Sequence, residues 1–242
     1  MKVKGKLFSL YENFALHLSQ SKRVVLLRKI GDLQAIASLH SLIIGFLKPE
    51  AVEVEGNKLF LDHGDSLRLS IKGIHDPVQT SLIKKYVKSG NVVIDVGAHI
   101  GYYTLLFANL VKDKGHVWAF EPSGENFKLL KKNIEVNGYK NVTLINKAVS
   151  DNSGMTKLYL SKTSQADHKT YDADDSRSFI KVGAVSLDDY FREFKGKVDF
   201  VKIDVQGSET KVISGMEKII SKNSKIKILT EFWPLGISKS GE

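Results

Sequence analysis

The chain has 242 residues, of which 42% are hydrophobic and 26% are charged, and it contains no cysteine. This length and composition suit one large globular domain, or one domain with a small appendage, and they exclude collagen-like and disordered chains. The lack of cysteine excludes disulfides, Cys-based zinc or iron–sulfur sites and a thiolate nucleophile. A formal charge of +9 favours anionic partners such as nucleic acid or a phosphorylated substrate, although a lysine-rich, soluble surface is the simpler explanation.

Residues 1–50 predict a helical appendage. Phe8, Tyr11 and Leu18 recur at helical spacing. The apolar stretch 34–47 is interrupted by polar residues and is shorter than the ~20 residues of a bilayer span, so we expect a packed helix and no membrane span. No apolar segment with a cleavage site closely follows the basic start, so we assign no signal peptide and expect a cytoplasmic protein.

Residues 51–71 predict β-strands that lead into a main domain over 51–242. Val52 and Val54 alternate with glutamates, and Gly56-Asn57 supplies a turn, which together favour a hairpin. A helix is then expected to begin at Asp76-Pro77 and to end at Gly90, with Leu82, Ile83, Tyr86 and Val87 on its apolar face.

Strands alternate with helices from Asn91 onward. The predicted strands cover 92–96, 116–120, 142–145, 198–203 and 226–232, and the helices between them cover 102–111, 123–137 and a segment that includes Val212, Met216 and Ile219 on one face. This alternation is typical of an α/β fold with a mostly parallel sheet and helices on both faces.

The loop after the first of these strands is a candidate ligand site, because glycines let the backbone approach a ligand at the carboxyl end of a strand. Its glycines, Gly97 and Gly101, are spaced Gly-x-x-x-Gly rather than Gly-x-Gly-x-x-Gly, which weakens an NAD interpretation. No Gly-Lys-Ser/Thr phosphate loop is present in the sequence. Asp95 is expensive to bury unless it accepts hydrogen bonds or faces a cation such as a sulfonium.

Polar residues follow the other strands at the same edge of the sheet. Glu121 stands twenty residues after Gly101, where an acid can accept both hydroxyls of a ribose. Together with Asp95 and Gly97 it indicates a nucleoside. Asn146 could read an adenine edge, and Asp204 would lie at the mouth of the same site.

These residues resemble an S-adenosylmethionine-dependent methyltransferase of the FkbM type, over about residues 52–234. The segments that carry the resemblance are Asp76-Pro-Val-Gln-Thr80, Val93-Ile-Asp-Val-Gly-Ala-His-Ile-Gly-Tyr-Tyr-Thr104, Ala119-Phe-Glu-Pro122, Asn137-Gly138, Lys147-Ala-Val-Ser-Asp151, Ser186-Leu-Asp-Asp-Tyr190 and Lys202-Ile-Asp-Val-Gln-Gly-Ser-Glu209. Gln79 and Gln206 depart from the pattern, since such sequences often carry Glu at both positions.

The resemblance implies a Rossmann-like class I methyltransferase sheet, S-adenosyl-L-methionine as cofactor and methyl transfer to a hydroxyl of a small molecule, sugar or glycan. The predicted cofactor-binding residues are Asp95, Gly97, Ala98, His99, Gly101, Glu121, Pro122, Asn146, Ala148 and Asp204, and no metal site is predicted. A complete sheet of this type has two further strands after the fifth, so we expect that the C-terminal strands are missing. The sheet edge left in this way would favour a homo-oligomer.

A sugar hydroxyl gains from a general base, and Asp204 is the first candidate, Glu231 the second and His168 the third. His168 lies in a long polar stretch, 161–178, that is typical of a lid or binding loop. Two alternatives stay open. A nucleic-acid methyltransferase is favoured by the basic charge, but Asp204-Val-Gln-Gly stands where an Asn-Pro-Pro-Tyr type motif would be. A non-catalytic scaffold is favoured only by the missing strands.

Overall fold

The computed structural model describes residues 48–161, 164–172, 176–231 and 233–240, so the appendage predicted for residues 1–50 lies almost entirely outside the described residues. In chain order, the described elements are β1 (Ala51–Val54), β2 (Asn57–Phe60), α1 (Leu69–Lys72), α2 (Pro77–Tyr86), β3 (Val92–Val96), α3 (Tyr102–Val111), β4 (His116–Phe120), α4 (Gly124–Val136), β5 (Val142–Ile145), β6 (Ala148–Val149), β7 (Gly154–Tyr159), β8 (Phe179–Val185), α5 (Leu187–Tyr190), β9 (Phe200–Ile203), α6 (Glu209–Ser214), α7 (Glu217–Lys222), β10 (Lys227–Thr230) and α8 (Pro234–Lys239).

The central sheet is parallel and has the strand order β10-β9-β3-β4-β5 in the described part of the chain. Three of its strands, β3, β4 and β5, have the predicted bounds, and β9 and β10 are shorter than predicted. The register places Asp95 of β3 opposite Ala119 of β4 and opposite Lys202 of β9. The carboxyl ends of all five strands therefore meet at one edge, where ligands bind in sheets of this kind.

Apolar side chains bury both faces of this sheet. One face packs under α3 and α4 through Phe107, Leu130 and their neighbours. The other face packs under α5, α6 and α7 through Leu187, Val212 and Met216. Because both faces are covered, the strand residues Val93 and Ile94 have no exposed surface, and the predicted α/β class with a Rossmann-like sheet is confirmed.

The hairpin of β1 and β2 is confirmed, but the prediction of strands as far as Ile71 is wrong. The chain instead turns after β2 and forms α1. The carboxylate of Asp65, buried in this turn, accepts hydrogen bonds from the backbone N–H groups of Leu69 and Ser70 at 2.9 and 3.0 Å. These local bonds favour a helix start over a strand.

Helix α2 begins as predicted, because Asp76 accepts two N–H groups of the first turn and Pro77 follows it. It ends at Tyr86, before the predicted Gly90, since Val87 is already extended. Ile83 and Val87 are buried, whereas Leu82 and Tyr86 are 36% and 40% exposed. The predicted apolar face is therefore only half covered by described residues.

The helix predicted around Val212 and Ile219 is divided into α6 and α7. The carbonyl of Gly215 accepts the N–H of Asp188 at 2.9 Å instead of continuing the helix. The Asp188 carboxylate in turn accepts the N–H groups of Lys218 and Ile219 at the start of α7. The backbone N–H of Asp188 in α5 thus binds the chain at the end of α6, and the Asp188 side chain caps the start of α7.

A second sheet of three strands, in the order β6-β8-β7, lies beside the central sheet and was not predicted. Strand β8 is parallel to β6 and antiparallel to β7. Only the last two residues of β7 and the last two of β8 are buried, and Met155 and Phe179 are exposed. Their side chains consequently lack the period-two pattern by which a half-buried strand is recognised in a sequence.

In the described ranges, β10 pairs only with β9 and forms one edge of the central sheet. The missing C-terminal strands, the homo-oligomer and the cytoplasmic location stay predictions. Among the described residues, no helix is both long enough and apolar enough to cross a membrane.

Two asparagines, one in α4 and one directly after it, hold the hairpin on the domain. Asn133, fully buried, accepts the N–H of Phe60 at 2.7 Å and donates to the carbonyl groups of Phe60 and Ile100 at 3.1 and 2.7 Å. Asn137, one turn later, makes the same pair of bonds to the backbone of Lys58. The helix thereby supplies hydrogen bonds that a neighbouring strand would otherwise give to the edge of β2.

We expect Asn133→Ala to lower the free energy of unfolding by about 3 kcal/mol, because it leaves several buried backbone groups without partners. The matched variant Asn137→Ala removes bonds that water can replace, so we expect a loss of about 1 kcal/mol or less. Urea unfolding of both variants measures the difference. Equal losses would contradict the role given to Asn133.

Candidate functional site

The carboxyl ends of β3, β4, β9 and β10 enclose a cleft of about 390 Å³. Most of the site residues predicted from the sequence line it, namely Gly97, Ala98, His99, Glu121, Pro122, Ala148, His168, Asp204 and Glu231. The topology thus brings together residues that are up to 134 positions apart in the chain, between Gly97 and Glu231.

The loop after β3 lies against the end of β9. Gly97 has a φ of +75°, and a Cβ atom added to it would lie only 1.9 Å from the carbonyl oxygen of Asp204. The N–H groups of Gly97 and Ala98 both donate to the carbonyl of Phe120 at the end of β4, at 3.0 and 2.9 Å. Only glycine allows this close approach, which lets the backbone itself form the wall of the cleft.

A buried lysine connects the acids at the ends of β3 and β9. Lys202, 2% exposed, has its Nζ 3.6 Å from Asp95 Oδ1 and 3.5 Å from Asp204 Oδ2. It also donates to the carbonyl of Gly97 at 3.1 Å. Thr104 Oγ1 donates to the other oxygen of Asp95 at 2.6 Å. Asp95 lies behind the cleft surface and acts on the site through these partners.

These contacts set the charges of the three groups. Burial would lower the pKa of Lys202, but the carboxylates of Asp204 and Asp95 outweigh it and raise that pKa. Burial would raise the pKa of Asp204, but the Lys202 ammonium and a hydrogen bond from Gln206 outweigh it and lower that pKa. Burial of Asp95 raises its pKa despite Lys202 and Thr104. At neutral pH the cleft therefore has a cation on its floor and the Asp204 anion at its mouth.

Glu121, the acid after β4, is held in one orientation. Its Oε2 accepts the backbone N–H of His99 at 2.9 Å, and its Oε1 accepts the N–H of Ser123 at 2.9 Å. Burial raises the pKa of Glu121 to about 7, although these hydrogen bonds act in the opposite direction. A ligand that donates hydrogen bonds to this carboxylate favours its ionised form.

His99 faces the cleft with an unsatisfied imidazole. Both of its ring nitrogens are enclosed and have no hydrogen-bond partner among the described residues. Burial lowers the pKa of His99 to about 4, so the ring is neutral at pH 7. A neutral imidazole has one donor and one acceptor, which suits a ligand that carries both types of group, such as an amino acid.

His168 also lines the cleft. Its Nδ1 accepts the N–H of Ser161 at 3.0 Å, so in the neutral ring the proton lies on Nε2. Burial lowers the pKa of His168, and the charge of Arg177 acts in the same direction. In this tautomer Nε2, the ring nitrogen that does not contact Ser161, is a hydrogen-bond donor. The catalytic role predicted for His168 stays a prediction.

Besides Asp95, two predicted cofactor contacts do not line the cleft. Asn146 is exposed, and its side-chain nitrogen donates to the carbonyl groups of Glu121 and Pro122 at 2.7 and 3.1 Å. It therefore braces the backbone after β4, and its placement gives no support to an adenine contact. Gly101 begins α3 with a φ of +97° and faces Leu130 rather than the cleft.

Other residues of the cleft were not identified from the sequence. His75, just before α2, and Tyr103, in α3, line it beside Asp204. Burial lowers the pKa of His75, with the charge of Asp204 opposing the change. Asn126 and Gln165 line the opposite end, beside Glu121. Tyr103 lies within a segment that carries the family resemblance, whereas no sequence pattern marks His75 or Gln165.

Within the described ranges, no group of three His, Asp or Glu side chains could hold a metal ion.

Comparison with known proteins gives the family. Residues 95–236, more than half of the chain, match the methyltransferase FkbM domain, and the chain belongs to that family. It is 34% identical over 59 residues to a protein-L-isoaspartate O-methyltransferase of Methanothrix thermoacetophila, a match that covers 24% of this chain and only 28% of the relative.

Solved structures to which it is similar include the methyltransferase FkbM from Methylobacillus flagellatus, with 21% identity, a TM-score of 0.42 and coverage of 59% of this chain and 33% of that one. A putative rRNA methylase from Clostridium thermocellum is 16% identical, with a TM-score of 0.41, and the match covers 67% of this chain and 75% of that one. Aeropyrum pernix fibrillarin, in complex with natively bound S-adenosyl-L-methionine, is 13% identical, with a TM-score of 0.37. That match covers 63% of this chain and 52% of the fibrillarin chain.

The prediction of an FkbM-type methyltransferase is therefore confirmed, and S-adenosylmethionine is the cofactor that the family assignment supports. The residues of the cleft fit it. Glu121 can accept ribose hydroxyls, and the neutral His99 can serve an amino-acid group. Both ring nitrogens of His99, which lines the cleft, are buried without a hydrogen-bond partner in the described part of the chain. Such groups are costly to leave unpaired, which indicates a site completed by a polar ligand.

We expect Gly97→Ala to lower the free energy of unfolding by about 3 kcal/mol, the sum of left-handed backbone strain and a clash with the Asp204 carbonyl. Gly56→Ala is the control, because Gly56 has the same φ of +75° and open space around it. It should cost only about 1 kcal/mol. Urea unfolding separates the two, and equal costs would rule out the close contact.

The pKa of Glu121 predicts a pH dependence of stability. Between about pH 4.5 and 7 the folded chain retains a proton on Glu121 that the unfolded chain has lost, so the free energy of unfolding falls as the pH rises through this range. The total effect is about 3 kcal/mol. Glu121→Gln should abolish it, whereas Glu125→Gln, at an exposed position, should not. A decrease of the same size in Glu121→Gln would contradict this assignment.

Proposed function

We propose that this chain is an S-adenosylmethionine-dependent methyltransferase that transfers a methyl group to a hydroxyl of a small molecule, sugar or glycan. The family supports the methyl transfer. The acceptor class is inferred from the outer half of the cleft, away from Glu121.

The observation that carries this proposal is a row of hydrogen-bond acceptors across the mouth of the cleft. Gln206 Nε2 donates to Asp204 Oδ1 at 2.8 Å and to Glu231 Oε2 at 3.3 Å, so one amide links the two carboxylates. Ionised carboxylates only accept hydrogen bonds, and a polyhydroxylated molecule supplies the matching donors. Tyr103 and His75 add ring surface beside them.

S-adenosylmethionine, when bound, supplies a methyl group that is already activated on a sulfonium. The residues of the chain then have to align the acceptor hydroxyl, exclude water and accept its proton. Glu231 is better suited to accept it than Asp204. Burial and the charges of Asp204 and Glu209 raise the pKa of Glu231, whereas Lys202 keeps that of Asp204 low, and a stronger base is the better proton acceptor.

A nucleic-acid acceptor is the second candidate, because the net charge of +9 favours polyanions. The mouth of the cleft argues against it. A phosphate backbone would have to approach Asp204, Glu231 and Asp76, which line this side. Like charges at close range oppose such an approach.

The test begins with calorimetric titration of the chain with S-adenosylhomocysteine and S-adenosylmethionine, with NAD as control. We expect saturable micromolar binding of the first two, no binding of NAD, and loss of binding in Asp95→Ala and Glu121→Ala with the fold retained. Normal affinity in both variants would contradict the site, and binding of NAD alone would contradict the function.

An acceptor screen with isotopically labelled methyl groups then compares sugars, glycans and RNA. Labelling of a hydroxyl compound would support the proposal, and labelling of RNA alone would favour the second candidate. For the labelled compound, Glu231→Gln should reduce kcat by about 10²–10⁴-fold without weakening S-adenosylhomocysteine.

A further inference from the structure

A segment between β7 and β8 crosses the open side of the cleft. At one end, Asn126 Nδ2 donates to the carbonyl of Gln165 at 3.1 Å, beside the start of α4. At the other end, Thr170 Oγ1 lies 2.8 Å from Ser208 Oγ, beside the start of α6. Residues 164–172 thus span from the end of β4 to the end of β9, and residues 164–168 line the cleft.

This segment is fixed by buried contacts. Asp167 forms ion pairs with Arg177 at 2.6 Å and with Lys169 at 3.5 Å, and the two basic side chains are only 12% and 8% exposed. The backbones of Tyr159 and Lys169 exchange hydrogen bonds of 2.7 and 3.1 Å. These contacts hold the segment in place as one wall of the cleft.

Two amide oxygens beside Glu121 have no hydrogen-bond partner in the part of the chain that the structure describes. Gln165 Oε1 and Asn126 Oδ1 are both enclosed and unpaired among the described residues. The amide nitrogens are already used: Gln165 Nε2 donates to Glu125 Oε2 at 3.1 Å, and Asn126 Nδ2 donates to the Gln165 carbonyl. Because both partners are pure acceptors, they fix which end of each amide is the nitrogen, and the oxygens must face elsewhere.

The inner end of the cleft is consequently rich in acceptors. It combines the Glu121 carboxylate with the two unpaired amide oxygens, and buried acceptors of this kind require donors from a ligand. Adenosine has such donors in its ribose hydroxyls and its amino group. We propose that Gln165 and Asn126 bind the adenosine part of the cofactor, so that the segment 164–168 takes part in cofactor recognition. This inference rests on the proposed function.

The test uses calorimetric titration of the full chain with S-adenosylhomocysteine. Gln165→Met keeps the volume of the side chain and removes the acceptor, so we expect about tenfold weaker binding, the effect of one lost hydrogen bond. The urea midpoint of the unliganded variant should stay the same or rise, because the unpaired buried oxygen is gone. A merely structural role would instead lower the midpoint.

Lys128→Ala is the control, because it changes an exposed side chain of α4 and leaves Gln165, Asn126 and Glu125 in place. We expect its affinity to stay within about twofold of the original chain. Unchanged binding in Gln165→Met, or an equal tenfold loss in Lys128→Ala, would overturn the inference. Absence of binding in the original chain would overturn the proposed function itself, which is a distinct result.

Discussion

The site depends on one buried cation. Lys202 and Asp95 stand opposite each other on neighbouring strands, and the lysine also reaches Asp204 and the Gly97 carbonyl. Without that charge, the buried Asp95 carboxylate would lie close to the partly exposed Asp204 carboxylate with no compensation, at a cost of several kcal/mol. With it, the ends of β3 and β9 are tied to each other, and the glycine loop between β3 and α3 is held against them. The wall of the cleft, the ionised Asp204 and the position of His99 all follow from this arrangement.

The other polar groups of the cleft are fixed before any ligand is present. Glu121 is oriented by two backbone N–H groups, and the segment 164–172 is anchored at both ends. A rigid set of acceptors loses little further freedom when a nucleoside binds, which is how preorganised sites gain affinity. The mouth of the cleft differs, since Glu231 is exposed and, among the described residues, its side chain is held by the Gln206 amide alone, at 3.3 Å.

The sequence predicted the parts of the fold in which local and global signals agree. Strands β3, β4 and β5 are short, mostly apolar runs, and Ser123 and Asp76 are helix caps with clear signatures. It failed where a distant residue decides the structure, as when the backbone and side chain of Asp188 bind between α6 and α7. The same holds for the site. Residues directly after strands, such as Glu121, could be placed in advance, whereas Gln165 depends on how a segment between two unpredicted strands crosses the cleft.

The most direct test of this account is a crystal structure of the chain with S-adenosylhomocysteine. The account predicts that the ribose hydroxyls lie within hydrogen-bonding distance of the Glu121 carboxylate, with the amino-acid part of the ligand near His99 and the loop at Gly97. A ligand bound outside this cleft, or one whose ribose lies at the Glu231 end, would contradict it.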